Sequence, residues 1–205
     1  MISMREHIVN VYTVNELDES ALNTALEYFQ NDDFYPSVEE HRETIKAFED
    51  LFPISVGEWY YNSLHGIDFR FTEDNDIENL SGIRLATYIY NNYGDRLFKG
   101  KYYSTIGKYI EGTYTYKHRY SNVILHNSCV LTGYYMDDNI LEPVYRFLKN
   151  SDKDTNFKDL MHKCLTSFQE SIDSDYEHYY SLENFKDMSI NNEWEYTANG
   201  KTFTH

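Results

Sequence analysis

The sequence predicts an α+β fold: an antiparallel sheet with helices packed on one side, then a long helix in the C-terminal part followed by a short hairpin. Three observations carry this expectation. Residues alternate between apolar and polar over Gly66 to Thr72, and between aromatic and basic or hydroxyl side chains over Thr113 to Tyr120, the period of a strand with two unlike faces. Apolar residues recur at three- and four-residue steps from Thr155 to Tyr180, the stripe of a packed helix. Asn199-Gly200 lies between Trp194, Tyr196 and Phe203, a turn signal set in alternating residues.

Taken in order, His7 to Val14 alternates and is rich in β-branched residues, which suits a strand. A helix follows. Asp18 is its N-cap, and Ala21, Leu22, Ala25, Leu26 and Phe29 form its stripe. Ser37-Val38-Glu39-Glu40 has capping-box spacing, and Val38, His41, Ile45, Phe48 and Phe52 line one face until Pro53 forbids continuation. Ile54 to Tyr61 and Gly66 to Thr72 read as a hairpin, with Ile67, Phe69 and Phe71 inward and Asp68 and Arg70 outward. A helix from Ser81 to Tyr93 is expected to stop at Gly94. The centre of the chain is Ser121 to Leu148, read as buried strand, turn at Gly133, then a helix opened by Asp137 and Asp138. Ser181 starts a last short helix bearing Leu182, Phe185 and Met188.

The chain has 205 residues and reads as one domain, with an acidic lobe 1–98 and a second lobe 99–205 as the alternative division. No stretch has the apolar length of a membrane span and MISMREHIVN lacks an apolar signal region, so a cytoplasmic protein is expected. Cys129 and Cys164 both sit in apolar patterns and are expected to be reduced core thiols.

The formal net charge of -16 disfavours direct attraction to nucleic acid and favours a basic protein partner or plain solubility. Residues 1–98 hold nineteen acids against six bases, 99–150 four against seven, and 151–205 eleven against five. Only the middle is basic. The 21 tyrosines are the other compositional anomaly, since tyrosine is enriched at contact surfaces.

Common catalytic and cofactor motifs are missing: there is no phosphate-binding Gly-rich loop, no GxSxG, no helical His pair and no CxxC. No cofactor and no enzymatic activity are expected. Asp74, Asp76 and Glu78 alternate like the start of a calcium loop, but Asn79 replaces the required Gly and Leu85 the bidentate Glu. Asp137 and Asp138 with Glu142 are weak metal candidates, and a helix-capping role is the stronger reading. Cys129 and His126 are three residues apart, which puts them on opposite faces of a strand rather than in a thiolate pair.

Two surfaces remain as candidates. Carboxylates repeat along Glu39, Glu40, Glu43 and Asp50, and along Glu170, Asp173, Asp175 and Glu177; such rows can imitate the phosphates of a duplex and occupy a nucleic-acid groove. The alternative is a basic aromatic strand, Tyr114, Tyr116, Lys117 and Arg119, of a composition that meets phosphate and stacks bases.

VYTVNELDESALNTALEYF (Val11 to Phe29), SNVILHNSCVLTGYYMDDNILEPVYRFLKN (Ser121 to Asn150) and SLENFKDMSINNEWEYTANGKTF (Ser181 to Phe203) together resemble an acidic protein family of phages and prophages of Gram-positive bacteria. Its members are often labelled antitoxin of a toxin-antitoxin stability system. CVLTGYYMDD and NEWEYTANG are the most specific parts, whereas Asn91 to Gly112 matches nothing in it. The resemblance implies a mobile-element setting inside a host bacterium and no catalytic residues. By analogy with acidic anti-CRISPR proteins, it implies an inhibitor of a CRISPR effector or another host defence nucleoprotein. An antitoxin for a basic toxin is the alternative implied by the label, and a metal-dependent nuclease on Asp137 and Asp138 is the third reading.

Overall fold

A computed structural model describes residues 9–32, 34–73, 76–98 and 129–203 in full, and residues 101–110 and 113–125 by their backbone. The fold is α+β. In order along the chain, the described residues form α1 (Glu19–Gln30), α2 (Val38–Leu51), β1 (Ile54–Val56), β2 (Phe69–Phe71), α3 (Gly82–Leu97), β3 (Lys101–Ile110), β4 (Thr113–Leu125), α4 (Met136–Lys149), α5 (Phe157–Tyr179) and α6 (Leu182–Asn191). Short 3-10 turns precede α1 at Val14–Glu16 and α3 at Asp76–Asn79. β1 pairs with β2 and β3 with β4, both antiparallel. The chain divides into two compact units: unit 1 is Met1–Pro36 with Asp173–His205, and unit 2 is Ser37–Ile172. Neither unit ends at residue 98.

Unit 2 is organised around the apolar stripes of α2, α4 and the first part of α5. Phe48, Ile140, Leu141, Val144, Met161, Cys164 and Phe168 have no solvent exposure, and they share one cluster with Leu85, Ile89 and Leu97 of α3. α3 runs past Gly94 to Leu97, against the expected stop at that glycine. A Cβ there would meet only Tyr90 at ordinary contact distance, and burial of Leu97 continues the stripe one more turn. Gly82 explains why the start of α3 is hard to read: it sits at φ +54, and a Cβ would come within 3.2 Å of the Asp152 carbonyl.

The expected capping box at Ser37 does not form. Ser37 lies at φ -89, ψ 7 rather than in the extended region an N-cap needs, and its side chain makes no cap bond. The reciprocal arrangement occurs at Thr13, whose backbone N–H and hydroxyl both donate to Glu16 Oε2 at 2.8 and 2.9 Å. The β1/β2 register pairs Ile54 with Phe71 and Val56 with Phe69, a shorter hairpin than the alternation suggested, with Asp68 and Arg70 outward as expected. β3 was not foreseen. It pairs with β4 from Ile110 opposite Thr113 to Lys101 opposite Leu125, with register shifts between Tyr103 and Thr105 and between Ile106 and Gly107.

α4 carries Pro143 in its interior, so the carbonyl of Asn139 has no N–H four residues on. Ser167 of α5 donates its hydroxyl to that carbonyl at 2.7 Å. One helix thereby satisfies the gap in the other. We expect Ser167→Ala to cost about 1 kcal/mol in denaturant unfolding, and to cost almost nothing in a Pro143→Ala background, where the helix supplies its own bond. Equal costs in both backgrounds would contradict this coupling.

Unit 1 is built from sequence-distant pieces. Tyr12 and Tyr196 exchange two backbone hydrogen bonds of 2.8 Å each, where a strand was expected over His7 to Val14. The described part of that segment makes this single bridge and then turns, while residues 7 and 8 lie outside the described residues. Asp18 caps α1 as expected, accepting from Ala21 N at 2.8 Å. Ser181 caps α6, but Leu182 is exposed, and Phe185 with Ser189 forms the buried face instead. The Ala198–Gly200 turn closes through Gly200 N to Thr197 O and Thr197 N to Lys201 O, each 2.9 Å, with a bridge between Tyr196 and Thr202.

Candidate functional site

The division into units redistributes the charge in a way the linear sequence hides. Unit 1 contains fourteen acidic against three basic residues, a formal -11, while unit 2 contains twenty against fifteen, -5. About two thirds of the excess negative charge therefore belongs to the smaller unit.

The two carboxylate rows differ in what surrounds them. On α2, Glu39 pairs with Arg42 at 2.7 Å and Glu43 approaches Lys46 at 3.8 Å, so two of its acids have a cation within one turn; Glu40 and Asp50 are exposed. On α5, no Lys or Arg occurs between Lys163 and Lys186, and Glu170 and Glu177 are exposed while Asp173 and Asp175 are half-buried. Glu170, Asp173 and Glu177 follow three- and four-residue steps and share a helix face, from which Asp175 is displaced. The α5 row differs from the α2 row in having no Lys or Arg between Lys163 and Lys186.

Beneath that charge, unit 1 has an aromatic interior. Phe29 stacks on Tyr179, Tyr180 and Phe185 at ring separations of 5.4, 5.6 and 5.3 Å, and on Trp194 at 6.2 Å. Tyr196 is 1% exposed and shares a 2.7 Å hydrogen bond with Ser189. A cleft of about 230 Å³ opens from this cluster, bordered by Tyr28, Phe29, Asp32, Phe185, Trp194 and Thr202. Tyr28, 56% exposed, also borders a smaller neighbouring cleft of about 180 Å³ beside Glu27 and Asn31.

Unit 2 has two larger cavities. One of about 1000 Å³ runs beside β1 and β2, walled by Trp59, Tyr60 and Tyr61, with Arg42 and Arg70 balanced by Glu58 and Asp68. The other, about 690 Å³, lies between α4 and α5 and mixes Glu142, Arg146, His162, Lys163 and Glu170. Neither has a dominant charge.

Asp137 is structural, but not as the cap of α4. It is fully buried in the first turn of that helix, while Tyr135 takes the N-cap position. Its Oδ2 accepts from the backbone N–H groups of Leu131, Thr132 and Gly133 at 2.9, 2.7 and 3.0 Å, and its Oδ1 from the Thr132 hydroxyl at 2.8 Å. Three consecutive amides wrapped on one oxygen form an anion-binding turn filled by the chain's own carboxylate. That occupation removes Asp137 from a metal site with Asp138 and Glu142, and Glu142 instead receives Arg146 Nε at 2.9 Å. Among the described residues no group of His, Cys, Asp and Glu could hold a metal ion.

Asp74 of the calcium-like run, His126, and the side chains of Tyr114, Tyr116, Lys117 and Arg119 lie outside the described residues. Cys164 is fully buried, and burial pushes its thiol far above the ordinary range. Cys129 is only half-buried, a correction to the expectation of two core thiols: it follows the end of β4 rather than sitting inside a strand. Among the described residues no helix is long and apolar enough to cross a membrane.

Burial also raises the hydroxyls of Tyr93 and Tyr145 well above the ordinary tyrosine range, and Tyr145 donates to the Leu97 carbonyl at 2.7 Å. A raised folded-state value means that the unfolded chain loses these protons first. Stability is then complete below about pH 10, the unfolded value, and falls as pH climbs above it. Above about pH 10 the urea-unfolding stability of a Tyr145→Phe variant should fall less steeply with pH than that of the wild type, and an equal slope would remove this residue from the account.

No protein-family model matches the sequence, and neither a curated protein nor a solved structure matches it.

Proposed function

We propose that this chain is a non-enzymatic binding protein that engages a basic protein surface through unit 1, which includes Asp173, Asp175 and Glu177 of the acidic α5 run. We propose further that its partner is a nucleic-acid-handling machine of a bacterial host, the setting its resemblance to phage proteins implies. The observation that carries the reading is the segregation of charge: a formal -11 on one unit, with an α5 row that has no Lys or Arg among its carboxylates. A concentrated negative field accelerates encounter with a positive surface and competes with phosphate for it. The fully engaged carboxylate of Asp137 supports binding rather than metal-assisted cleavage.

The test is capture of partners from host lysate, followed by binding measured against salt and against nucleic acid. Neutralising Glu170, Asp173 and Glu177 together to Gln, Asn and Gln should weaken binding tenfold or more, about 1.4 kcal/mol. Neutralising Glu39, Glu40 and Glu43 should weaken it less, because Arg42 and Lys46 already offset part of that row. Rising salt should slow association, and the protein should displace DNA or RNA from the partner without binding either. Capture of a small basic toxin carrying no nucleic acid would replace the defence-machine reading with the antitoxin one. Loss of activity only on changing Tyr116, Lys117 and Arg119 would move the working surface to β4.

A further inference from the structure

The cleft beside α1 combines features that an acidic surface alone would not need. A charged row in water attracts a cation at long range but has little preference for which cation arrives. Here an exposed tyrosine, a half-buried tryptophan and a buried phenylalanine edge a space of about 230 Å³, the scale of one side chain, and Asp32 stands at its border. Aromatic faces carry negative charge density, and a flat cation held against them while touching a carboxylate satisfies both attractions at once.

The floor of the cleft and its carboxylate are fixed in place. Phe29 is held by Tyr179, Tyr180 and Phe185, and Phe185 packs on Tyr196 at 6.2 Å. Asp32 is anchored at both ends of its residue: its Oδ1 accepts from Phe34 N at 3.2 Å and its carbonyl accepts from the Tyr180 hydroxyl at 3.0 Å. A site held in this way loses little conformational freedom when it is filled.

We propose that this cleft receives one arginine side chain of the protein partner, its guanidinium stacked between Tyr28 and Trp194 and paired with Asp32. Arginine is favoured over lysine because its planar group can lie along a ring while directing N–H donors at a carboxylate, whereas an ammonium is a compact, strongly hydrated point charge. This inference rests on the reading of unit 1 as the contact surface, and it names the chemistry that the surface selects.

The chain contains only two tryptophans, and Trp59 lies in unit 2, so its indole resonance is an internal control. Titrating the full chain with N-acetyl-arginine amide, followed by nuclear magnetic resonance, should move the Trp194 indole signal and leave that of Trp59 in place. The neutral isostere N-acetyl-citrulline amide should have no such effect at the same concentration. Asp32→Asn keeps the acceptor for Phe34 N but removes the charge, and it should weaken the arginine response at least threefold; Tyr28→Leu should do the same. Equal responses to arginine and citrulline, equal responses to arginine and lysine amides, or an unmoved Trp194 would each overturn the proposal. With a captured partner, loss of binding on α5 neutralisation alongside full binding by Tyr28→Leu and Asp32→Asn would sink the cleft and leave the acidic surface standing. Insensitivity to the α5 changes and to salt would instead sink the surface reading.

Discussion

Gly200→Ala should unfold unit 1. A Cβ at this position would collide with the Ala21 carbonyl oxygen and stand 2.9 Å from the carbon that bears it, both backbone atoms of α1 that no rotamer change can move. Gly200 also has φ +80, a conformation that costs an L-residue roughly 1–2 kcal/mol. Displacing a helix backbone adds overpacking strain of about 1–3 kcal/mol, so a loss of ~4 kcal/mol is expected. Gly133 provides the comparison. It has φ +91 but nothing within 4 Å of a new Cβ, so Gly133→Ala should show the conformational part alone, ~1–2 kcal/mol. Hydrogen exchange separates the two effects: the alanine at 200 should deprotect amides of α1 and α6 and leave α2 to α4 protected. Equal and small losses for both variants would mean that α1 does not pack on the Gly200 turn as described.

Asp137→Ala should be the most damaging single change to the turn that precedes α4. It leaves the amides of Leu131, Thr132 and Gly133 and the hydroxyl of Thr132 without their acceptor beside a fully buried position. Leu131 is half-buried and Thr132 and Gly133 are exposed, so water replaces part of the lost acceptor and a loss of ~1–3 kcal/mol is expected. Asp137→Asn keeps one carbonyl oxygen but turns the other acceptor into a donor, and should fall between wild type and alanine. Urea unfolding gives the ordering, and faster exchange of the 131–133 amides locates it. Asparagine as costly as alanine would show that the packing volume of the side chain, rather than its acceptors, holds the turn.

These two residues also mark what could and could not be read from the sequence. Local signals were legible: the cap at Asp18, the stripe from Phe157 to Ile172 and the inward Ile67, Phe69 and Phe71 all follow from spacing and side-chain chemistry. The capping box was read at Ser37 and formed at Thr13 because both segments have the same S/T-x-x-E spacing, and only backbone dihedrals distinguish them. Asp137 was legible as structural but not in its role, since the amides it gathers belong to the preceding turn and not to its own helix. β3 could have been found in the β-branched and aromatic content of Tyr102 to Ile110. The acidic unit was out of reach of any linear scan, because the bridge between Tyr12 and Tyr196 joins segments that no local pattern connects. The candidate cleft shares that origin: Tyr28 and Asp32 come from one segment, Phe185 and Trp194 from the other.

That bridge has a consequence during synthesis. The small apolar cluster of Val14, Ala25, Phe185 and Tyr196 cannot close until the ribosome has delivered its last two members, and the whole of unit 2 is translated in the interval. At common elongation rates α1 waits on the order of ten seconds for them, long compared with the time a helix takes to form. Over that time α1 is a tethered, unpartnered amphipathic segment, available to chaperones and proteases.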